Sequence, residues 1–289
     1  DSSFAGNETA QGNQDGNGKG DFYYAPPSGF LALCTDNLSA PEIALPGENF
    51  NTVLYTGNSS TQSITGAGFQ PDAIWIKNRE ITENHFLASS VQDADGNKYL
   101  YVNLTSTEGD RADGVTSIDS DGFSLGAWAN NNYTGDGNVS WLWKAGGAPT
   151  ADNSAGAGAV PTAGSVKIDG SNLGSALAGS IAATRISANT TAGFSIVGYT
   201  GDDASSATIA HGLSVAPELI IIKSLDSTEG WYVGSSEGPM SFTSSDYLTL
   251  NTDGGESSSS TIWDDTAPSA SIFTVGTNDA VNNTDDFIA

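Results

Sequence analysis

Short runs of alternating hydrophobic and polar residues recur along this chain, and one stretch of twenty residues occurs twice. Residues 71–90 read PDAIWIKNREITENHFLASS, and residues 217–236 read PELIIIKSLDSTEGWYVGSS. In the first copy Ile74 and Ile76 would face one side of a β-strand, and Trp75 would face the other. Each copy therefore predicts two strands joined by a turn.

The similarity between the two copies extends well beyond these twenty residues. The offset between matched positions grows from 144 to 150 along the chain, because loops between strands gain or lose residues. We therefore predict a duplicated unit of roughly a hundred residues. The further matched segments are VLYTGN (53–58) with VGYTGD (197–202), YLYVNLT (99–105) with YLTLNTD (247–253), and GFSLG (122–126) with IFTVG (272–276).

Each unit is predicted to contain six short strands bounded by Gly, Asn, Asp or Ser. The first unit has 52–57, 72–78, 85–91, 98–104, 122–128 and 138–144. The second has 194–200, 218–224, 230–235, 246–251, 271–276 and 286–289, and its last strand is expected to be truncated. With no helical periodicity in these units, the pattern predicts an all-β protein of tandem antiparallel β-sandwiches, of jelly-roll or concanavalin-like type.

Changes in composition predict four segments, and the chain is expected to be a piece of a longer protein. In the connector, SVKID is interpreted as a strand, and SALAGSIAATRIS as either a short helix or an extended segment. The connector either lies against a neighbour or is a plain surface loop. The four segments are 1–45 (the end of a preceding β domain with a mobile loop), 46–147 (sandwich repeat 1), 148–192 (an Ala/Gly/Ser-rich connector) and 193–289 (sandwich repeat 2).

The charge balance narrows the range of partners. The chain has 34 acidic and 9 basic residues, for a formal net charge of −25 at pH 7. Such a surface repels nucleic-acid phosphates and anionic lipids, and no apolar run is long enough to insert into a membrane. Cys34 is the sole cysteine, which excludes an intrachain disulfide and indicates a small buried apolar residue.

Residues suited to catalysis are few. His85 lies in a predicted strand and His211 in a turn before a strand, and no nucleophile-elbow sequence is present. The chain is therefore not expected to be an enzyme. A depolymerase, as the enzymatic alternative, would need a pair of acidic residues in a groove.

One acidic segment has the spacing of a calcium loop. In DADGN, Asp93 and Asp95 alternate as calcium ligands do, but the distal glutamate of an EF-hand is missing. Turn chemistry explains the segment, and calcium bound by these two residues is the alternative. No other cofactor is predicted.

Aromatic residues in loops are the best candidates for binding, because Trp and Tyr rings stack on sugar faces while amide groups form hydrogen bonds with hydroxyls. Trp75, Trp141 and Trp143 lie in strands and are expected in the core. For Trp128 the alternative is packing under its own loop. The predicted ligand-binding residues are Trp128, Asn130, Asn132, Tyr133, Trp231, Trp263 and Asp264.

Two parts of the sequence resemble a known group of proteins. YYAPPSGFLALCTDNLSAPEI resembles the end of a SPRY, or concanavalin-like, domain in structural proteins of tailed bacteriophages, many of them marine. GFQPDAIWIKNR, HFLASS, DSDGFSLG and SWLWKAGG, followed by TAGFSIVGYTGD and IAHGLSVAPELIIIK, resemble the tandem sandwiches that follow it.

The resemblance implies a non-enzymatic virion protein, such as a tail fibre or other appendage. It further implies contacts with other virion proteins, adsorption to host-surface glycans, and a homotrimer. It supplies no mapped binding residue. The alternative is a capsid decoration or head fibre with a purely architectural role.

Overall fold

The computed structural model describes the chain at residues 9–39, 41 and 43–289, and the N-terminal predictions that concern other residues lie outside it. The chain forms two compact units, Asp1–Ala44 and Leu45–Ala289. The second unit contains both predicted repeats.

The described part of the first unit is organised by one carboxylate. Asp15 accepts hydrogen bonds from the backbone N–H groups of Lys19 (2.9 Å) and Ala32 (2.7 Å) and from the side chain of Asn37 (2.6 Å). Desolvation acts to raise the pKa of Asp15, but the hydrogen bonds outweigh it and hold the pKa at about 2. Cys34 is partly exposed, so the prediction of a buried cysteine is wrong; the apolar side chains described in this unit form no core around it.

Repeat 1 is a sandwich of a six-stranded and a three-stranded sheet, in the orders β1-β9-β3-β4-β5-β6 and β2-β8-β7. Its inner core includes Ile74, Ile76, Phe86, Phe123 and Leu125. The elements are β1 (Phe50–Thr56), β2 (Gln62–Thr65), β3 (Ala73–Asn78), β4 (Phe86–Ser89), β5 (Lys98–Tyr101), β6 (Gly109–Asp110), β7 (Val115–Asp119), β8 (Gly122–Leu125), α1 (Ala129–Asn132) and β9 (Gly137–Trp143).

Repeat 2 begins with three strands from the predicted connector: β10 (Val166–Ile168), β11 (Ser171–Asn172) and β12 (Arg185–Asn189). Its inner core includes Ile220, Ile222, Trp263, Phe273 and Val275. The elements that follow are β13 (Phe194–Thr200), β14 (Ala207–Ala210), β15 (Leu219–Ser224), β16 (Tyr232–Ser235), β17 (Asp246–Thr249), β18 (Ser257–Ser258), α2 (Ser260–Trp263), β19 (Ile272–Val275), α3 (Asp279–Asn282) and β20 (Asp286–Ile288).

The strand order confirms the duplication. The large sheet of repeat 2 runs β11-β10-β12-β13-β20-β15-β16-β17-β18, and its part from β13 onward reproduces the order of the six-stranded sheet of repeat 1. The small sheet β14-β19 corresponds to β2-β8, and α2 stands where repeat 1 has β7. The predicted all-β architecture of tandem antiparallel sandwiches is confirmed, and the strand predicted at 286–289 is present as β20.

The connector becomes part of the second sheet. β12 runs antiparallel to β13, with Ile186 opposite Val197, and β10 runs parallel to β12. Ile186 and Ala188 are completely buried. The segment SALAGSIAATRIS is therefore extended, because its last residues gain a sheet neighbour that a helix would not have.

The two repeats are packed face to face through the outer sides of their large sheets. Leu100 and Val102 of repeat 1 belong to one buried cluster with Ile196, Trp231 and Ile288 of repeat 2. The indole N–H of Trp231 also donates to the backbone carbonyls of Tyr101 (3.1 Å) and Leu104 (3.2 Å) in repeat 1. A third hydrophobic layer therefore lies between the cores of the two repeats.

A buried carboxylate fixes the chain as it leaves repeat 1. Asp72 accepts hydrogen bonds from Ser90 Oγ (2.7 Å) and from the backbone N–H groups of Ala145 (2.7 Å) and Gly147 (3.2 Å). Burial raises the pKa of Asp72, although these hydrogen bonds oppose the shift. Nearby, Arg185 Nη1 donates to the carbonyl of Val91 across the repeat boundary at 3.0 Å.

The equivalent strands β1 and β13 differ in their outer neighbours. β12 covers residues 194–198 of β13, whereas within the described residues no strand pairs with the outer side of β1. Phe50 and Leu54 of β1 are 41% and 62% exposed. The described sheet of repeat 1 thus has an edge strand of seven residues without charge or proline.

The backbone N–H and C=O groups of the even-numbered residues of β1 point to this edge. Two backbone hydrogen bonds extend the β1–β9 ladder past its ends: Lys144 N–H donates to Asn49 O (2.8 Å), and Gly57 N–H donates to Asp136 O (2.9 Å). Asn49 and Gly57 have odd numbers, so the odd-numbered residues on the β1 side are the ones that bond to β9. Because bonding alternates along an antiparallel strand, the N–H of Thr52 points away from β9.

Proline substitutions test this register. We expect Thr52→Pro to reduce the free energy of unfolding by about 1 kcal/mol or less, because that N–H makes no ladder bond and donates only to the exposed side-chain oxygen of Asn51. We expect Val53→Pro to reduce it by about 3 kcal/mol or more, because it breaks a bond to β9. Urea unfolding measures both values, and equal losses would contradict the register.

Candidate functional site

The asparagine-rich loop that follows β8 is a structural clamp. Asn132 is completely buried, and its Nδ2 donates to the carbonyls of Ser60 (2.6 Å) and Gly126 (2.5 Å), while its Oδ1 accepts from the N–H of Asn58 (2.9 Å). Asn282 makes the equivalent three bonds in repeat 2. The prediction that Asn132 binds a ligand is therefore wrong, because loop carbonyls use its amide.

Two of the predicted ligand-binding tryptophans are buried. Trp263 is 0% exposed and donates its indole N–H to the carbonyl of Asp246 at 3.1 Å, and Trp231 lies between the repeats. Neither ring offers a stacking face, so the prediction is wrong for both. Asp264 is partly buried, has a left-handed backbone (φ 50°) and accepts a hydrogen bond from Ser206 Oγ.

Trp128 packs beneath its own loop, as the alternative interpretation holds. Its ring lies 5.0 Å from that of Tyr99 and 5.8 Å from that of Phe86, and the guanidinium of Arg111 lies 4.7 Å from its centroid on the other side. Part of the ring remains accessible. Tyr133, 50% exposed, is the predicted aromatic residue that the structure leaves most accessible.

Asn130 has little contact with solvent. It is 5% exposed, and its Nδ2 donates to the carboxylate of Glu83 at 2.9 Å. The loop therefore does not present Trp128, Asn130, Asn132 and Tyr133 together as one binding surface.

Three further partly exposed tryptophans, Trp75, Trp141 and Trp143, lie on the outer face of the six-stranded sheet, whereas the sequence predicts them in the core. Trp75, on β3, is directly opposite Trp141 on β9, and their rings are 5.9 Å apart at 70°. Trp143 lies 6.4 Å from Trp75 at 32°. Ile74 and Ile76 take the inward positions of β3, so alternation places Trp75 outward.

Neighbouring side chains complete this surface. Trp75 donates its indole N–H to His85 Nδ1 at 3.1 Å, which fixes the indole ring. Phe50 lies 5.1 Å from Trp143, and Leu54 lies on the same face of β1, with Thr52 between the two. We call Phe50, Leu54, Trp75, His85, Trp141 and Trp143 the aromatic face.

The aromatic face belongs to repeat 1 alone. The position of Trp75 is taken by Ile221 in repeat 2, and that of His85 by Trp231. Burial, with a smaller effect of Lys77, lowers the pKa of His85, so its ring is neutral at pH 7 and its Nδ1 can accept the indole proton.

The residues considered for metal binding and catalysis have structural partners. Asp93 Oδ2 accepts from the N–H of Asn97 at 3.1 Å, which forms a turn, and Asp95 is exposed. His211 accepts from the N–H of Leu213 at 3.1 Å through Nδ1 and is buried. In the described part of the chain, no three His, Cys, Asp or Glu side chains lie close enough together to hold a metal ion.

Two ion pairs line a cleft of about 200 Å³ between the repeats. Lys98 lies 2.6 Å from Glu108, and Arg185 lies 2.6 Å from Asp152. Because these charges are paired with one another, the cleft offers no free charge from them. Of the helices described, none has the length and apolar character needed to cross a membrane.

Lys77 and Lys223 explain part of the duplicated sequence. Each lysine lies near the end of a central strand and donates to the carbonyls of the next residue and of the residue four positions on. Burial lowers the pKa of Lys223 to about 8, although Glu229 and Asp285 oppose the shift. The acceptors and distances are Asn78 (2.5 Å) and Ile81 (3.2 Å) for the first lysine, and Ser224 (2.6 Å) and Ser227 (3.1 Å) for the second.

The fold and these surfaces define an all-β protein of two sandwich repeats with an aromatic face on the first. The chain belongs to the family described as "Domain of unknown function (DUF7483)", which matches it twice, at residues 45–171 and 167–289. No curated protein and no solved structure matches the chain.

The buried Lys223 makes stability depend on pH. Its pKa is about 8 in the folded state and near 10.5 in the unfolded state, so between these values the unfolded chain binds more protons. The free energy of unfolding should therefore rise as the pH increases from 8 to 9.5, within a limit of about 3 kcal/mol for the whole shift. Denaturant titrations at pH 7.5, 8.5 and 9.5 measure this rise.

The Lys223→Met variant is the control for that experiment. It should lack the rise, because it carries no titrating group at this position. A rise of equal size in the variant would assign the effect to other groups.

Proposed function

We propose that this protein is a non-catalytic structural component of a bacteriophage virion, in a tail-fibre or spike-type appendage, and that it contributes to adsorption by binding host-surface glycan on its aromatic face. The proposal depends on one observation: Trp75 and Trp141 lie side by side on an outer sheet face, and both rings are partly exposed. Indole rings supply rigid, flat contact area for the C–H faces of sugars.

The geometry of the pair supports binding without rearrangement. The two indoles project from the adjacent interior strands β3 and β9, and the bond to His85 fixes the ring of Trp75. A ligand therefore loses little free energy in ordering the site. Thr52, opposite Trp141 on the exposed strand β1, places a hydroxyl beside the rings that can form a hydrogen bond with a sugar.

Charge narrows the class of glycan. With a formal net charge of −25, the chain repels acidic polysaccharides at long range. The aromatic face itself has no acidic side chain. We therefore assign it to neutral glycans, and multiple copies on a particle would add avidity to weak single sites.

The virion location rests on the sequence resemblance described above, as do the homotrimer and the contacts with other virion proteins. The apolar contact that holds the two repeats in one compact unit supports a role in a structural appendage. Both histidines are engaged in hydrogen bonds, which supports a non-catalytic role.

A purely architectural role is the second candidate, and the exposed edge of β1 favours it. Phe50 and Leu54 are exposed on a strand edge that no other described strand covers, which is the arrangement that pairs with a strand of another protein. In a capsid decoration or head fibre, this edge would contact virion proteins rather than sugars.

The Trp141→Ala variant tests the glycan proposal. Trp141 is not part of the buried cluster between the repeats, so its removal should leave the fold intact. We expect binding to a panel of neutral oligosaccharides from host surface polysaccharide, measured by calorimetry, to weaken about tenfold or more, which corresponds to ~1.4 kcal/mol. Tyr133→Ala, at an exposed aromatic residue away from the face, is the matched control and should bind like the parent.

Equal binding by Trp141→Ala and the parent would exclude the aromatic face. Absence of binding by the parent to every neutral glycan would favour the architectural role. Gold labelling of intact particles with an antibody to residues 193–289 locates the protein: label on fibres supports an appendage, and label on the head supports decoration. Unlabelled particles would contradict the virion proposal.

A further inference from the structure

Three buried asparagines at one end of the repeat 1 core have polar atoms without hydrogen-bond partners. Asn130, Asn131 and Asn138 are 5%, 0% and 0% exposed. Among the described residues, four buried side-chain polar atoms are unpartnered, and all belong to these three asparagines: Asn130 Oδ1, Asn131 Nδ2, Asn131 Oδ1 and Asn138 Oδ1. Leaving a buried polar group unpaired costs about 1–3 kcal/mol, so such a concentration requires a binding partner.

Two of these asparagines flank a single tyrosine. The hydroxyl of Tyr55 donates to the backbone carbonyl of Asn131 on α1 at 2.6 Å. Across the sheet, Tyr55 of β1 is directly opposite Asn138 of β9, so these side chains lie on the same inner face. The polar atoms of Asn131 and Asn138 therefore lie in one layer between α1 and the end of the sheet.

Repeat 2 has apolar residues at all three positions. In repeat 2 the hydroxyl of Tyr199 donates to the carbonyl of Val281, as Tyr55 does to Asn131 in repeat 1. This shared bond aligns α3 with α1, so Val281 corresponds to Asn131 and Ala280 corresponds to Asn130. Tyr199 lies opposite Phe287, which matches Asn138. All three apolar side chains are 0% exposed.

The difference in side-chain size between the repeats implies space at this site. In repeat 2 the ring of Phe287 stacks on that of Tyr199 with centroids 5.2 Å apart. In repeat 1 the same backbone arrangement surrounds the smaller side chain of Asn138. A phenyl ring is larger than a carboxamide group, and the difference in volume is enough for one or two water molecules, each of which occupies roughly 30 Å³ in the liquid.

The unpaired atoms define the class of ligand. Asn131 requires an acceptor for its Nδ2 and a donor for its Oδ1. A cation would serve only the oxygens, and an anion would serve only the nitrogen. Water does both, and buried water typically makes about three hydrogen bonds to such groups.

We propose that repeat 1 encloses a permanent hydration site in which one or two water molecules bind Asn130, Asn131 and Asn138, and that repeat 2 fills the same site with Phe287. The bound water ties α1 to the sheet from within. Asn130 connects the site to the surface through its bond to Glu83.

A crystal structure at about 1.5 Å resolution or better tests the proposal directly. We expect water density within hydrogen-bonding distance of Asn131 Nδ2 and Oδ1. Absence of that density, with the asparagines bonded to each other or to other protein groups, would overturn the proposal, as would a metal ion identified by anomalous scattering.

Two variants test separately whether the bound water depends on the space at the site or on a single polar group. Asn138→Phe installs the residue of repeat 2 and should expel the water, whereas Asn130→Ala removes one acceptor, leaves the space and should retain it. Retention of the density in a folded Asn138→Phe variant would refute the argument from space.

Solution NMR provides a readout on the parent protein alone, should Asn138→Phe not fold. We expect cross-peaks between the Asn131 side-chain NH₂ and long-lived water. Their absence, with that NH₂ protected from exchange by a protein acceptor, would contradict the proposal.

Discussion

The contact between the outer faces of the two large sheets determines which side chains of these sheets are exposed to solvent. Sheets of sandwich proteins commonly leave one face to solvent, but here each repeat covers part of the other with apolar side chains such as Leu100, Ile196 and Trp231. Burial of these faces makes Leu45–Ala289 one compact unit. It also decides which aromatic rings are covered, because Trp75 and Trp143 pack partly against it and Trp141 does not.

The duplicated sequence records the residues that close each sandwich. A lysine at the end of the central strand, a tyrosine bonded to a short helix and an asparagine bonded to loop carbonyls occur in both repeats with the same partners. Gly57 and Gly201 lie where a side chain would collide with the backbone of the loop after that helix. Duplication at these positions therefore reflects folding, and the functional differences lie where the repeats diverge, at Trp75 against Ile221 and at Asn138 against Phe287.

The sequence was sufficient to predict the strands of the large sheets and their duplication, because alternation and Gly/Asn/Asp boundaries are local signals. It was not sufficient to locate the binding surface. Trp231 lies in a run rich in turn residues, which suggests exposure, yet a neighbouring repeat buries it. Trp75 lies in a strand, which suggests burial, yet the inward positions belong to Ile74 and Ile76.

The short strands β2, β7 and β14 were missed because each has only four or five residues and lies in a segment rich in Ser, Thr and Gly. Such a segment gives little alternation of apolar and polar positions. For β12 the sequence did not distinguish a short helix from an extended segment, because its apolar residues are only Ile186 and Ala188 and its conformation depends on pairing with β13. Pairing with other strands of the same repeat decides each of these cases, and no local pattern encodes that pairing.

Hydroxyl-radical footprinting with residue-level mass spectrometry tests the central contact most directly, because Trp231 lies inside that contact and Trp141 lies outside it. Face-to-face packing predicts oxidation of Trp75 and Trp141 and protection of Trp231 and Trp263. If Trp231 were oxidised as fast as Trp141 in the folded protein, the repeats would not be packed through these faces.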